Sequence, residues 1–155
     1  MLSALVRPMR GARHFEELIV WQLSDQLRAE TFKLTSRPAF ARDLKLHSQT
    51  EDAVNSVCRN ISEGFGGSHA EFARYLRISR RSLNEVQDAF RAARLKEYVT
   101  DADLIAPFRL MRRIYPGMAR LIDYLDRTPD PTPPRRPRPS RPRADRSKGN
   151  PTEGH

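Results

Sequence analysis

The residues most able to do chemistry in this chain surround a glycine-rich string, Gly64-Phe65-Gly66-Gly67. Such a string resembles part of a phosphate-binding loop, in which backbone N–H groups surround an anion. A working loop also needs Lys-Ser/Thr after the glycines and a strand before them. Here Ser68-His69 follows and a helical pattern precedes. The string therefore predicts a connector between two helices rather than a nucleotide site. We expect its glycines to end the first helix because they can take positive φ.

Two polar residues after the connector, His69 and Glu71, have a spacing that could support acid–base chemistry. Ser68 with Glu71 three residues later is also the pattern of a capping box, in which a serine side chain accepts a hydrogen bond from the backbone at a helix start. Because capping explains these residues more simply, the sequence predicts that a new helix begins here.

Asn60 and Glu63 precede the connector, in the last turn of the helical segment that ends near Gly64. A carboxylate at a helix C-terminus is mildly unfavourable with the helix dipole, so we expect Glu63 to have a compensating partner. We interpret Asn60, Glu63 and Gly64 as a structural corner, in which a polar side chain bonds to the connector, the next helix or another subunit. A contact with a ligand or RNA is the alternative.

The clearest electrostatic signal is a row of arginines in the segment after the connector. Helical spacing places on one face, or at its margins, Arg74, Arg77, Arg80, Arg81, Arg91 and Arg94. Guanidinium groups along one helix face suit phosphate binding, because each carries a permanent charge and several donors. A solvated face partly neutralised by Asp88 is the alternative. No aromatic residue interrupts the row, so it predicts contacts to backbone phosphates rather than base stacking.

Other chemistry has little support in the sequence. Cys58 is the single cysteine, so no internal disulfide can form, and its place on an apolar stripe predicts burial rather than reactivity. The four histidines are scattered, and no CxxC or ExxH pattern occurs. No serine or cysteine has the partners of a hydrolytic site at a recognisable spacing. We therefore expect no enzyme activity, no metal site and no cofactor.

Four segments that must position these residues have helical periodicity, with apolar residues recurring every three or four positions. They cover approximately residues 14–36, 42–63, 70–97 and 101–127. Pro38 helps to end the first segment, and Pro116 predicts a kink or break in the fourth, since an interior proline costs ~3 kcal/mol. Long helices with short connections predict an all-α, antiparallel up-down four-helix bundle over residues 14–127.

The two flanks differ in composition from the bundle. Residues 1–13 contain three arginines and no acid, and we expect a flexible leader there. Residues 128–155 contain eight of the twelve prolines and no large apolar residue, so we expect a disordered tail with polyproline II character. Basic residues alternate with these prolines, and Arg135, Arg136 and Arg138 are candidate nucleic-acid contacts.

The overall charge restricts the classes of partner. A net charge of +9 over 155 residues favours polyanions such as RNA or DNA. No apolar run reaches the ~20 residues that a membrane helix needs, so no membrane partner is expected. The short apolar start is interrupted by Arg7-Pro8, which argues against a signal peptide and predicts a cytoplasmic protein.

Several strings in this order resemble a known family. They are Phe15, Leu18, Val20-Trp21-Gln22, Leu46, Gln49, Asn60-Ile61-Ser62-Glu63-Gly64, Glu71-Phe72 and Ser82-Leu83-Asn84-Glu85. Together they resemble the pattern FxxLxVWQ … NIAEG … EF … GSLxE of bacterial four-helix bundle proteins first known from intervening sequences of large-subunit ribosomal RNA genes. The resemblance covers residues 14–126. Two positions depart from the pattern, Ser62 for the usual Ala and Arg81 for the usual Gly.

The resemblance implies a non-enzymatic bundle that forms a homopentamer. The chain is also similar to the accessory variability proteins of diversity-generating retroelements. These proteins are basic pentameric barrels that assist a reverse transcriptase and its RNA. A reverse transcriptase or another protein is therefore a candidate partner. Trp21 and Phe32 lie off the main apolar stripe of the first helix, which fits a subunit interface.

Two hypotheses follow from the sequence. The first is a homo-oligomeric bundle that binds RNA or other nucleic acid through the arginine row and the basic tail. The second is a protein-interaction scaffold without nucleic-acid binding, whose Pro-Pro-Arg-Arg-Pro tail would dock in aromatic grooves. An enzyme is the third and weakest class.

Overall fold

The computed structural model describes residues 12–131. The leader before residue 12 and the tail after residue 131 lie outside this range. The expected flexibility of the leader, the expected disorder of the tail, and the candidate contacts Arg135, Arg136 and Arg138 therefore fall on residues that the structure does not describe.

The described chain is all-α, which confirms the predicted fold class. A single 3₁₀ turn over Phe15–Glu17 precedes five α-helices, and no strand occurs within residues 12–131. The helices are α1 (Ile19–Thr35), α2 (Pro38–Arg42), α3 (Leu44–Gly64), α4 (His69–Leu95) and α5 (Ile105–Arg127). The four long helices, α1, α3, α4 and α5, correspond to the four segments predicted from periodicity.

The helix boundaries differ from the predicted ones at three places. The first long helix begins at Ile19 rather than residue 14, because Leu18 is extended and separates it from the 3₁₀ turn. The sequence did not predict α2, which begins at Pro38, a residue suited to a first helical position. The last helix begins at Ile105 rather than residue 101, since residues 101–104 form turns.

Pro116 lies inside α5, where a kink or break was expected. The helix runs from Ile105 to Arg127 without a break. Ile114 and Met118, one on either side of the proline, are fully buried. Their burial holds both halves of α5 against the same core. The free energy gained from this burial offsets the cost of the backbone hydrogen bond that the proline cannot make.

The four long helices form a ring in the order α1, α3, α4, α5. Helix α3 packs against α1 and α4, and α5 packs against α4 and α1. Because consecutive long helices reverse direction, each one is antiparallel to both of its neighbours. The core inside the ring contains, among its largest fully buried side chains, Phe90, Leu27, Ile61, Leu76, Leu83 and Met111. Phe40 of α2 is also fully buried, at one end of the bundle, 5.8 Å from the Tyr98 ring between their centroids.

The corner between α3 and α4 depends on close packing at Gly64. The sequence pattern suggested that the glycines end the helix through positive φ, but only Gly66 of the described glycines has it, at 90°. Gly64 is helical, and a Cβ there would lie 2.6 Å from Tyr75 Cβ and 2.8 Å from a Phe72 ring carbon. Gly64 is therefore required because two helices approach closely, which is a different reason from the one predicted.

Candidate nucleic-acid interface

The corner residues bond within the bundle. Asn60 is buried and donates from Nδ2 to the Ser56 carbonyl at 2.8 Å and to Ser56 Oγ at 3.0 Å. Ser56 Oγ in turn lies 2.8 Å from Ser82 Oγ of α4. Asn60 thus supports the α3–α4 contact through Ser56, rather than by bonding directly to the connector. Glu63 is exposed and has the compensating partner that was expected, since Arg59 Nε lies 3.9 Å from its carboxylate.

The serine cap at the start of α4 forms as predicted. The backbone N–H of Glu71 donates to Ser68 Oγ at 3.1 Å. The His69 backbone N–H donates to the Asp130 carboxylate at 2.6 Å, and His69 Nδ1 lies 2.8 Å from the Thr128 carbonyl. These contacts hold the residues after α5 against the start of α4. The basic tail therefore leaves the described structure beside the helix that carries the arginine row.

Half of the arginine row is engaged within the protein. Arg77 pairs with Asp126 of α5 at 2.6 Å, and Arg94 pairs with Asp101 at 2.6 Å. The Asp101 hydrogen bond raises the pKa of Arg94. The Arg74 guanidinium lies 5.0 Å from the centroid of the Tyr75 ring. These contacts leave fewer unpaired charges than the sequence count suggested.

The other half of the row is exposed. Arg80, Arg81 and Arg91 have no ion pair with any of residues 12–131. Asp88, which was considered as a neutralising residue, lines the groove between α3 and α4 instead, together with Glu85. The acids that pair with arginines of the row are Asp126 and Asp101, and both lie outside α4.

Four further exposed arginines lie on α5 and were not predicted from the sequence. They are Arg109, Arg112, Arg113 and Arg120, and within the described range none of them forms an ion pair. A signal was present, because no acidic residue occurs between Asp103 and Asp123. The apolar seam of this helix favoured an interpretation based on packing, although every charged residue over that interval is an arginine.

Contacts across the α4/α5 seam hold the two sets of arginines side by side. The Tyr115 hydroxyl of α5 donates to Asn84 Oδ1 of α4 at 2.7 Å and lies 3.3 Å from Gln87 Oε1. Burial raises the pKa of Tyr115, and the nearby positive charge of Arg91 opposes that shift. The two helices that carry unpaired arginines are therefore neighbours. We call the exposed arginines of these two helices that form no ion pair within residues 12–131 the arginine surface, and they are Arg80, Arg81, Arg91, Arg109, Arg112, Arg113 and Arg120.

The two residues predicted for an oligomer interface lie on the opposite flank of α1. Trp21 is half-buried and packs edge-on against Phe15, with ring centroids 5.2 Å apart. Phe32 is 38% exposed. Trp21 also lines a groove between α1 and α3 next to Cys58, whose burial raises the pKa of the thiol to about 11. The prediction that Cys58 is buried is thus confirmed.

No group of three or more His, Cys, Asp and Glu side chains within residues 12–131 is arranged to hold a metal ion. Among the helices described, none has the length and apolar character needed to cross a membrane. What the site presents is a row of positive charge, suited to electrostatic binding of anions.

The fold and this surface define a class of protein, a small all-α bundle with a basic face on two adjacent helices. Comparison with family models is more specific, since residues 16–115 match the family described as 23S rRNA-intervening sequence protein. The match covers more than half of the chain, and the protein belongs to this family. No curated protein matches the chain significantly. The resemblance found in the sequence is therefore confirmed for the family, while similarity to retroelement accessory proteins stays a prediction.

Proposed function

We propose that this protein is a non-enzymatic, homo-oligomeric bundle that binds RNA or other nucleic acid through its phosphates. The arginine surface carries this proposal. Seven exposed guanidinium groups on α4 and α5 have no acidic partner within residues 12–131. Phosphate groups satisfy such donors well, because they offer negative charge and several acceptors to each arginine.

The position of the tail supports the same proposal. His69 holds Thr128 and Asp130 at the start of α4, the helix that carries the arginine row. Arg135 and Arg136 follow a few residues later in the sequence. We propose that they add phosphate contacts to those of α4 and α5, which would increase the number of phosphates neutralised.

Oligomer formation is a separate part of the proposal. Exposed large apolar side chains at the bundle end that contains α2 are Phe32, Leu44, Leu95 and Ile105, and half-buried Trp21 lies along the same helix as Phe32. Covering such residues in a second copy would remove apolar surface from water. We propose a pentamer, as the family resemblance implies, acting in the cytoplasm with RNA and with a reverse transcriptase or another protein as partner.

A salt titration tests nucleic-acid binding. Fluorescence anisotropy with a labelled oligoribonucleotide should show affinity that falls steeply with salt, since each phosphate contact releases counterions. The double variant R80Q/R81Q should lower the slope by about 0.7 to 0.9 for each phosphate that is no longer neutralised. The matched control R42Q/K45Q removes the same charge from exposed basic residues of α2 and α3 that form no ion pair within residues 12–131, and should leave the slope nearly unchanged. Absence of binding at low salt, or affinity independent of salt, would refute the proposal.

The second candidate function is a protein-interaction scaffold. The exposed Leu44 and Leu95, at 77% and 86% exposure, favour it, because isolated apolar side chains at one end suit a protein partner. Affinity capture before and after nuclease treatment separates the two functions. Partners that survive the nuclease favour the scaffold, and partners released by it favour nucleic-acid binding.

A further inference from the structure

A crevice between α1 and α5 interrupts the arginine surface. Its volume is about 250 Å³, and it opens at Pro116 and Gly117. The walls include half-buried Ile19 of α1 and half-buried Leu121 of α5. Gly117 forms part of the floor, where an added Cβ would lie 3.0 Å from Val20 Cγ1. Gly117 therefore lies where α5 approaches α1 closely, beside the crevice.

Positive charge surrounds the mouth of this crevice. Arg112, Arg113 and Arg120 line it, and no acidic side chain does. Arg113 and Arg120 are about two helical turns apart, or roughly 10 Å along the axis, with Pro116 between them. An occupant that fits both features must therefore combine an apolar body with neighbouring negative charge. A purely apolar molecule would leave the arginines without a partner, and a purely anionic one would leave the apolar walls without a contact.

The crevice also offers one hydrogen-bond acceptor. Pro116 has no N–H, so it cannot donate to the Arg112 carbonyl in the usual helical position four residues before it. Both residues line the crevice. The site thus has guanidinium donors and a backbone acceptor beside an aliphatic floor. A nucleobase has a flat apolar face and both acceptors and donors at its edges, which matches this combination.

We propose that the α1/α5 crevice receives one unpaired nucleobase of a single-stranded RNA whose phosphates lie on the arginine surface. This inference rests on the proposed function and makes it specific to single strands. The charge of the surroundings favours a nucleotide over an aliphatic side chain of a protein, because phosphates flank every base in a strand. A duplex cannot use the crevice, since its bases are paired and stacked.

Filling the crevice tests the inference. In the full-length protein, Leu121→Trp places a large side chain in the crevice and removes no arginine. We expect it to lower affinity for a short single-stranded oligoribonucleotide by roughly tenfold, the order expected when one base is no longer held by the protein. Affinity for a duplex of the same length should stay at the wild-type value. The preference of the wild-type protein for the single strand should therefore disappear.

The matched control is Leu110→Trp. Leu110 is half-buried on the same helix and packs at the edge of the same core, but it lines a different groove. This variant should keep the wild-type preference. Ile19→Trp fills the crevice from the α1 wall and should reproduce the effect of L121W. Circular dichroism melting of the three variants identifies any decrease in affinity that comes from unfolding.

A direct signal comes from the base itself. A single strand carrying 2-aminopurine should become shielded from a soluble quencher when bound to the wild-type protein, and should stay accessible on folded L121W. Equal affinity of wild type, L121W and I19W for the single strand would overturn the crevice inference alone. Equal protection of the 2-aminopurine on wild type and on folded L121W would also overturn it. Absence of all RNA binding in the wild type would instead refute the proposed function.

Discussion

The groove between α3 and α4 and the crevice between α1 and α5 lie on opposite sides of the bundle and carry opposite charge. The α3/α4 groove has a floor of small residues, and its acidic residues are Asp52, Glu85 and Asp88. The α1/α5 crevice has branched apolar walls and only arginines among its charged residues. Helix α4 contacts both of its neighbours with charged residues, because Glu85 and Asp88 line the groove beside α3 and Arg77 pairs with Asp126 of α5.

This difference shows how one bundle separates packing from binding. On the α3/α4 side, Gly64 and the Ser56–Ser82 contact let two helices approach closely, and the buried Asn60 is bonded to Ser56. On the α1/α5 side, Pro116 and Gly117 line an open crevice, and the three arginines beside it form no ion pair within the described residues. We infer that the first side contributes mainly to stability and the second mainly to recognition.

The largest expected effect concerns charge on the two sides. Arg113→Gln with Arg120→Gln should weaken binding to a single-stranded oligoribonucleotide more than tenfold at low salt, and should lower the salt slope by about 0.7 for each phosphate left without its arginine. Glu85→Gln with Asp88→Asn changes the net charge by the same amount in the opposite direction and should leave the slope unchanged. Equal and opposite changes in affinity and salt slope for the two variants would contradict a localised site, since net charge alone would then explain binding.

The two sides should also differ in their tolerance of a methyl group at glycine. Gly64→Ala should destabilise the protein by about 1–3 kcal/mol, because the new Cβ would overlap Tyr75 and Phe72. In Gly117→Ala the new Cβ would contact only Val20, at 3.0 Å, while alanine has a higher helix propensity than glycine in a helix interior. The cost of the contact and the gain in propensity should nearly cancel in the free energy of unfolding. Urea unfolding followed by circular dichroism measures both. A G117A variant as unstable as G64A would show that the crevice side is packed as closely as the corner.

A smaller effect is expected from the two ion pairs that fasten the loops at one end. Arg37 holds Asp103 at 2.5 Å on the α1/α5 side, and Lys96 holds Asp43 at 2.5 Å on the α3/α4 side. The Arg37 hydrogen bond, aided by Thr100, holds the pKa of Asp103 well below its usual range. The Lys96 hydrogen bond, aided by the Leu46 N–H, lowers the pKa of Asp43.

Both lowered pKa values predict the same pH dependence. The stability that each aspartate contributes is present above its unfolded pKa of about 3.9 and is lost as pH falls toward the lower folded pKa. Asp103→Asn should therefore reduce the acid-induced loss of unfolding free energy below about pH 4 more than Asp43→Asn does. The reason is that the pKa of Asp103 is lowered more than that of Asp43. Urea midpoints measured from about pH 6 to about pH 2.5 test this order, and a steeper acid loss in D103N would reverse it.

The smallest expected effect concerns Cys58, in the groove between the two compared sides. Its thiol is buried and its pKa is raised to about 11, so little thiolate forms near neutral pH. Labelling by a thiol reagent should be slow and should accelerate with denaturant, in step with unfolding. Rapid stoichiometric labelling of the native protein would show that the α1/α3 groove opens, which burial of Cys58 does not allow.

Periodicity predicted the four long helices because each buries one continuous apolar stripe, as in Val54, Val57 and Ile61 of α3. The serine cap of α4 was predicted for an equally local reason. Helix α2 was not predicted, because a helix of only five residues depends on the burial of Phe40 against the rest of the bundle. The arginines of α5 were visible in the sequence but were not selected, since their significance depends on lying beside α4.

The sequence by itself determined the helical segments, the family and the excess of positive charge, because these follow from local spacing and composition. Only the tertiary structure decided which arginines are free. Arg77 is paired by an aspartate on another helix, and Asp88 lines the α3/α4 groove and forms no ion pair within the described residues. Such pairings depend on the order of helices in the ring. Spacing along one helix does not contain that order, so neither the arginine surface nor the crevice could be predicted from periodicity.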